Sequence, residues 1–82
     1  MKIGEKLLKK LSKKYEPDRM ITQKFERYDI RFKTDDEGNA ILLFIGTLDE
    51  QGRIRGERFA RRLVKDPQGV LIKDHWDAKG KT

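Results

Sequence analysis

Arg53, Arg55, Arg58, Arg61, Arg62 and Lys65 crowd into one stretch, with Phe59 among them. A guanidinium is a planar fork that binds phosphate oxygens in pairs and stacks on flat rings. Arginines interleaved with an aromatic are therefore the composition of a surface that holds a phosphate backbone and stacks bases. Those seven residues form the candidate nucleic-acid-binding set, with Phe59 or Trp76 available for stacking. The competing reading is a solvated strand face whose arginines pair with Asp29, Glu26 or nearby acidic turns. No named RNA- or DNA-binding motif accompanies the cluster.

Other chemistry is thinner. The single histidine, His75, lies two residues from Asp77, as a metal ligand or a carboxylate-oriented general base would. A His-x-Asp pair lacks the third and fourth ligands of a protein metal site, which favours a strand-end residue beside Trp76. Asp35, Asp36 and Glu37, and likewise Asp49 and Glu50, lack the alternating oxygens and twelfth-position Glu of a calcium loop; they read as solvated turns. With no cysteine there is no disulfide, thiolate zinc site or thiol nucleophile. The expectation is a non-enzymatic protein with no cofactor, no metal and no small-molecule substrate.

The 82 residues carry 20 Lys and Arg against 14 Asp and Glu, a formal net charge of +6, which favours a polyanionic partner. The layout is uneven: residues 34–52 hold acidic groups and no basic ones, between two basic segments. The longest apolar run, residues 40–45, is far short of the roughly 18 residues that span a bilayer. Lysines interrupt the N-terminal leucines, so no secretory apolar region forms and a cytoplasmic address is expected.

These residues need a scaffold. Ile3, Leu7, Leu8, Leu11 and Tyr15 fall on one arc of a helical wheel, with lysines on the rest, predicting an amphipathic helix over 3–15. Pro17 disfavours helix at Glu16, so the end is expected within two residues of Tyr15. Tyr28, Ile30 and Phe32 alternate with Arg27, Asp29, Arg31 and Lys33, as in a strand over 21–33. Ile21 and Phe25 fall on the charged side by parity, which a bulge near Glu26 would repair. Residues 40–45, apolar on both faces, predict a central strand ended by Gly46. Residues 53–64 and 70–76 complete four strands, with turns at 35–39, 49–52 and 66–69. A short helix over 57–64 competes with the third strand, because Phe59 with Leu63 and Ala60 with Val64 are also helix-spaced pairs.

The stretch from Arg27-Tyr28-Asp29-Ile30-Arg31-Phe32 through Ala40-Ile41-Leu42-Leu43-Phe44-Ile45-Gly46 resembles the strand–turn–strand of RelE-type messenger-RNA-cleaving toxins. After Gly46 the chain has Thr47-Leu48 where that family often shows His-Arg, and no room for its second helix, so no catalytic residue carries over. The whole chain is similar to short uncharacterised bacterial proteins, a resemblance that implies no activity.

Together these readings predict one α+β domain over 1–77, an N-terminal amphipathic helix on a four-stranded antiparallel meander (sheet 20–77), with 78–82 a flexible tail. Because Leu42 and Phe44 point away from Ile41, Leu43 and Ile45, either the sheet curls toward a small barrel or a partner covers the second set. The expected function is a binding module for a polyanion, RNA or DNA. The alternative is a protein-interaction or assembly module, a weak homodimer or a partner protein on an exposed apolar sheet face. A ribosome-associated nuclease ranks third. Membrane-surface contact through the lysine-rich helix ranks below docking of its leucine face.

Overall fold

The computed structural model describes residues 3–82. One local device recurs three times. In the turns at 35–39, 49–53 and 66–70 the leading Asp accepts backbone N–H groups on Oδ1 from the residues two and four positions on, at 2.8–2.9 Å. The glycine at the fourth position takes φ between +79° and +84° and donates its N–H to the Asp carbonyl. A short acceptor at the start and a residue without Cβ near the end thus close each hairpin.

These turns join β2 (Tyr28–Thr34), β3 (Ala40–Leu48), β4 (Ile54–Lys65) and β5 (Leu71–Lys81). β1 (Met20–Phe25) precedes them, and the five strands form one antiparallel sheet in chain order. The helix α1 (Glu5–Leu11) buries Leu7 and Leu11 on one side. There Phe32, Leu43 and Phe59 lie abreast on adjacent strands, flanked by Ile30 and Ile45. Fully burying each of these side chains is worth roughly 1.5–3 kcal/mol, which so small a domain requires. Thr34, fully buried, clips the connector beneath the helix: its hydroxyl donates to the Glu16 carbonyl at 2.6 Å and accepts the Arg19 N–H at 2.8 Å.

Gly46 faces Gly56 across β3 and β4. A Cβ on Gly46 would overlap the Arg55 carbonyl and lie 2.9 Å from the Gly56 Cα; a Cβ on Gly56 would overlap the Ile45 carbonyl. Two opposed glycines let the backbones approach closely. Ile54 is buried, although its parity places it on the side away from the helix.

Several expectations need correction. The helix stops at Leu11, well before Tyr15. The Ser12 hydroxyl donates to the Leu8 carbonyl at 2.7 Å, and Tyr15 leaves the helical path to donate its N–H to the Gly38 carbonyl and its hydroxyl to the Lys10 carbonyl. Pairing with the β2–β3 turn outweighs helix propensity there. The sheet has five strands, because the predicted strand over 21–33 is a hairpin. Glu26, at φ +54°, starts a two-residue turn that returns Ile21 opposite Phe32 and Phe25 opposite Tyr28, on the helix side. Gly46 lies inside β3, and Ile41 is the extra residue at a register shift that brings Ala40 into the core beside Thr34. β5 runs through Lys81. Thr82 donates to the Gly56 and Ile54 carbonyls, so residues 78–82 belong to the sheet where a fraying tail was expected. The sheet does not close into a barrel; β1 and β5 are its two edges. Strand wins over helix across 57–64, and α1 buries Leu7 and Leu11, whereas Leu8, expected on the same face, is 37% exposed. Lys2, expected on the helix's lysine face, and Met1 lie outside the described residues.

Candidate nucleic-acid interface

Strand alternation splits the arginine-rich segment between two environments. Phe59, only 4% exposed, points into the core under α1, where no base can stack on it. Arg61 shares that side, and its side chain is 7% exposed. Its guanidinium clamps Asp74 in a two-bond fork at 2.7 Å per bond and lies 5.8 Å from the Trp76 ring centre. It also donates to the carbonyls of Leu11 at 3.3 Å and Ala40 at 3.1 Å. The Leu11 carbonyl ends α1 and lacks an intrahelical donor, so Arg61 fastens helix, β3 and β5 together. The same hydrogen bonds hold the Asp74 carboxyl below its ordinary range, against partial desolvation. Lys65 is tied at 2.6 Å to Glu37, and that hydrogen bond raises its pKa.

Arg58 and Arg62 take the opposite parity and project from the side without a helix. Arg58 reaches the Lys79 carbonyl at 3.4 Å, a long contact. Arg62 stands opposite His75 and makes no ion pair or hydrogen bond among the described residues. Arg53 and Arg55 border the β3–β4 turn, each more than half exposed, 3.6 and 3.3 Å from Asp49. Arg53 also bonds the Gln51 side chain. Asp49 is held below its ordinary range first by the Arg53 N–H, against some burial, with help from the Gln51 N–H and the two guanidiniums.

The sheet adds residues that the linear cluster does not contain. Across adjacent strands Thr22, Arg31, Phe44 and Arg58 stand in one row, and Lys33, Leu42, Ala60 and Asp77 in the next. Phe44 is half-buried between two arginines, and Arg31 is steadied by a 2.9 Å bond from Nε to the Thr22 hydroxyl. Lys33 and Lys73, like Arg62, are exposed and make no ion pair or hydrogen bond among the described residues. A hollow of about 390 Å³ lies beside this row, lined by Met20, Arg31, Phe44, Arg53, Ile54 and Arg55 with Thr82. The hollow offers an aromatic and aliphatic lining with Arg31 beside it; Arg55, next to Ile54, takes the parity of Phe59, and its guanidinium, like that of Arg53, is held at Asp49. Arg31 and Lys33 were legible as one strand face, but only register shows that they share it with Arg58 and Arg62.

Two carboxylates interrupt the cations. Asp29 accepts from Lys24 at 2.8 Å and from the Leu48 N–H at 2.9 Å, which lower its pKa in that order. Asp77 lies 2.9 Å from the His75 Nε2. His75 and Asp77 gather no further ligand, and no cluster of three or more His, Asp or Glu side chains suited to a metal occurs among the described residues. No helix among them is long and apolar enough to cross a membrane. Comparison with protein-family models, curated proteins and solved structures finds no match.

Proposed function

We propose that the open side of the sheet binds single-stranded RNA or DNA, the arginines and lysines contacting phosphates and Phe44 stacking a base. What carries the reading is the row Arg31–Phe44–Arg58 beside a hollow large enough for a nucleobase. Alternating cations and an aromatic on one side of a sheet suit a flexible strand whose bases are free to splay, whereas a duplex is too wide for the hollow. Arg58 and Arg62 stay in the binding set with Arg31, Lys33 and Phe44 added, and Arg53 and Arg55, held by Asp49, border it at the β3–β4 turn. Arg61, Phe59 and Lys65 are assigned to the scaffold. Such a module acts without catalysis and works in the cytoplasm, where its ligand is found. The alternative assembly module needs an exposed apolar sheet face; Leu42 and Phe44 are half-covered and ringed by cations, which weighs against it.

Fluorescence anisotropy with a mixed-sequence single strand tests the proposal. About four phosphate contacts give a slope of log K against log salt near -3, and Arg58→Ala or Arg62→Ala lowers its magnitude by about 0.7. Phe44→Ala weakens binding by about 1–3 kcal/mol while leaving the slope unchanged. No binding below about 100 μM at low salt overturns the reading, because even sequence-independent binders reach that range.

A further inference from the structure

β5 is an edge of the sheet, eleven residues long, and carries a row of main-chain donors and acceptors that β4 does not use. The last residues of β4 and the first of β5 extend past β3, whose pairing with β4 stops at Ala60. On this arm Val70, Leu71 and Ile72 are exposed, Ile72 by 63%. Natural edges are usually blunted by charge, bulges, proline or a short strand; this one carries five charged residues and two register shifts, but it is long and opens with the exposed Leu71 and Ile72.

We infer that β5 pairs antiparallel with β5 of a second copy, about a two-fold axis at His75. In that register Lys73 of each copy stands opposite Asp77 of the other, so two opposite-charge pairs form on the open side, where both residues already point. Neighbouring registers are poorer: centring on Asp74 sets that carboxylate against its own copy, and centring on Trp76 sets Lys73 against Lys79. The same register brings Ile72 opposite Ala78 of the other copy. On the helix side, next to Ala78, lies a hollow of about 380 Å³ lined by Ile3, Leu8, Phe59 and Trp76 together with Asp74 and His75. Asp74, Trp76 and Ala78 face that side, opposite Leu63, Arg61 and Phe59, and Ile72 is the extra residue at the register shift between Leu71 and Lys73. One pairing thus satisfies the edge, matches the charges and lays a second strand along the exposed Ile72. The dimer is a ten-stranded sheet with both helices on one side. It does not depend on the nucleic-acid reading.

The ladder is short, so association is expected at about 10–300 μM. Sedimentation equilibrium across that range should show the wild type passing from monomer to dimer. Lys73→Glu alone and Asp77→Lys alone should each weaken association at least about tenfold. An equimolar mixture of the two should recover a dimer. In the mixed pair the introduced carboxylate of one copy meets the introduced ammonium of the other, and the native Asp77 of the first meets the native Lys73 of the second. A second, charge-independent measurement exploits the absence of cysteine. His75→Cys should oxidise to a disulfide-linked dimer faster than Lys79→Cys, because only position 75 meets its own copy on the axis. A wild type monomeric throughout, single variants that associate like the wild type, or equal cross-linking at 75 and 79 would overturn the pairing.

Discussion

The two sides of one sheet show how alternate residues of a single strand come to do different work. On the helix side of β4, Phe59 is enclosed by Leu7, Leu11 and Leu43, and Arg61 spends its donors on Asp74 and two carbonyls. One position along, Arg58 and Arg62 keep their charges in water. Burial decides the difference. A charge near the core persists only when paired and hydrogen-bonded, and those bonds remove it from service as a ligand contact. Arginine content alone is therefore a poor guide to a binding surface; facing and prior commitment select the usable guanidiniums.

Substitutions that change the two sides unequally test this contrast. The largest effect is expected from Leu43→Ala, which opens a cavity between Phe32 and Phe59 and should cost about 3–5 kcal/mol in urea unfolding. Phe44→Ala, one residue on, should cost well under half of that, and equal costs would mean that the two sides are not distinct. Gly46→Ala comes next, at about 3 kcal/mol, because the new Cβ meets the backbone of β4. Arg61→Met should cost about 2 kcal/mol by stranding Asp74 and two carbonyls. The Arg62→Ala change should stay within about 0.5 kcal/mol, its effect appearing only in the salt slope of binding.

Acid unfolding probes the helix side by another route. The folded-state pKa of Asp74 lies below its unfolded value, so its contribution is complete above the ordinary carboxylate range, about pH 4, and is lost as pH falls through the folded value. Asp35 acts with the same sign: burial works to raise its pKa, but the Asn39 and Glu37 N–H groups outweigh it. Urea midpoints measured from about pH 6 down to about pH 2 should fall in the wild type and fall less steeply in Asp74→Asn. Identical slopes would remove the Arg61–Asp74 fork from the account of stability.

The hairpins at 35–39, 49–53 and 66–70 were open to reading because everything that closes them, an Asp carboxylate, two amides and a glycine, lies within five residues. The docking face of α1 and the strand character of β3 were legible for the same reason, as periodic patterns of apolar side chains. The turn at Glu26-Arg27 was not. Neither residue is a usual hairpin former, and a two-residue reversal looks like a shift of parity within one strand. The binding side was half legible: parity groups Arg31 with Lys33 and Arg58 with Arg62, but nothing local pairs the two groups.

By itself, the amino-acid sequence determined the positive charge, the three Asp-to-Gly turns, the helix side of Leu7 and Leu11 and the alternation through most of β2 and β3. The tertiary structure alone decided where the helix ends, that β5 runs to Lys81, that Gly46 faces Gly56, and which arginines remain free. Local features act through bonds spanning a few residues, which spacing records. Arg61 meets Leu11 fifty positions away, and Phe44 gains its two arginines from separate strands, through a register that only the assembled sheet sets.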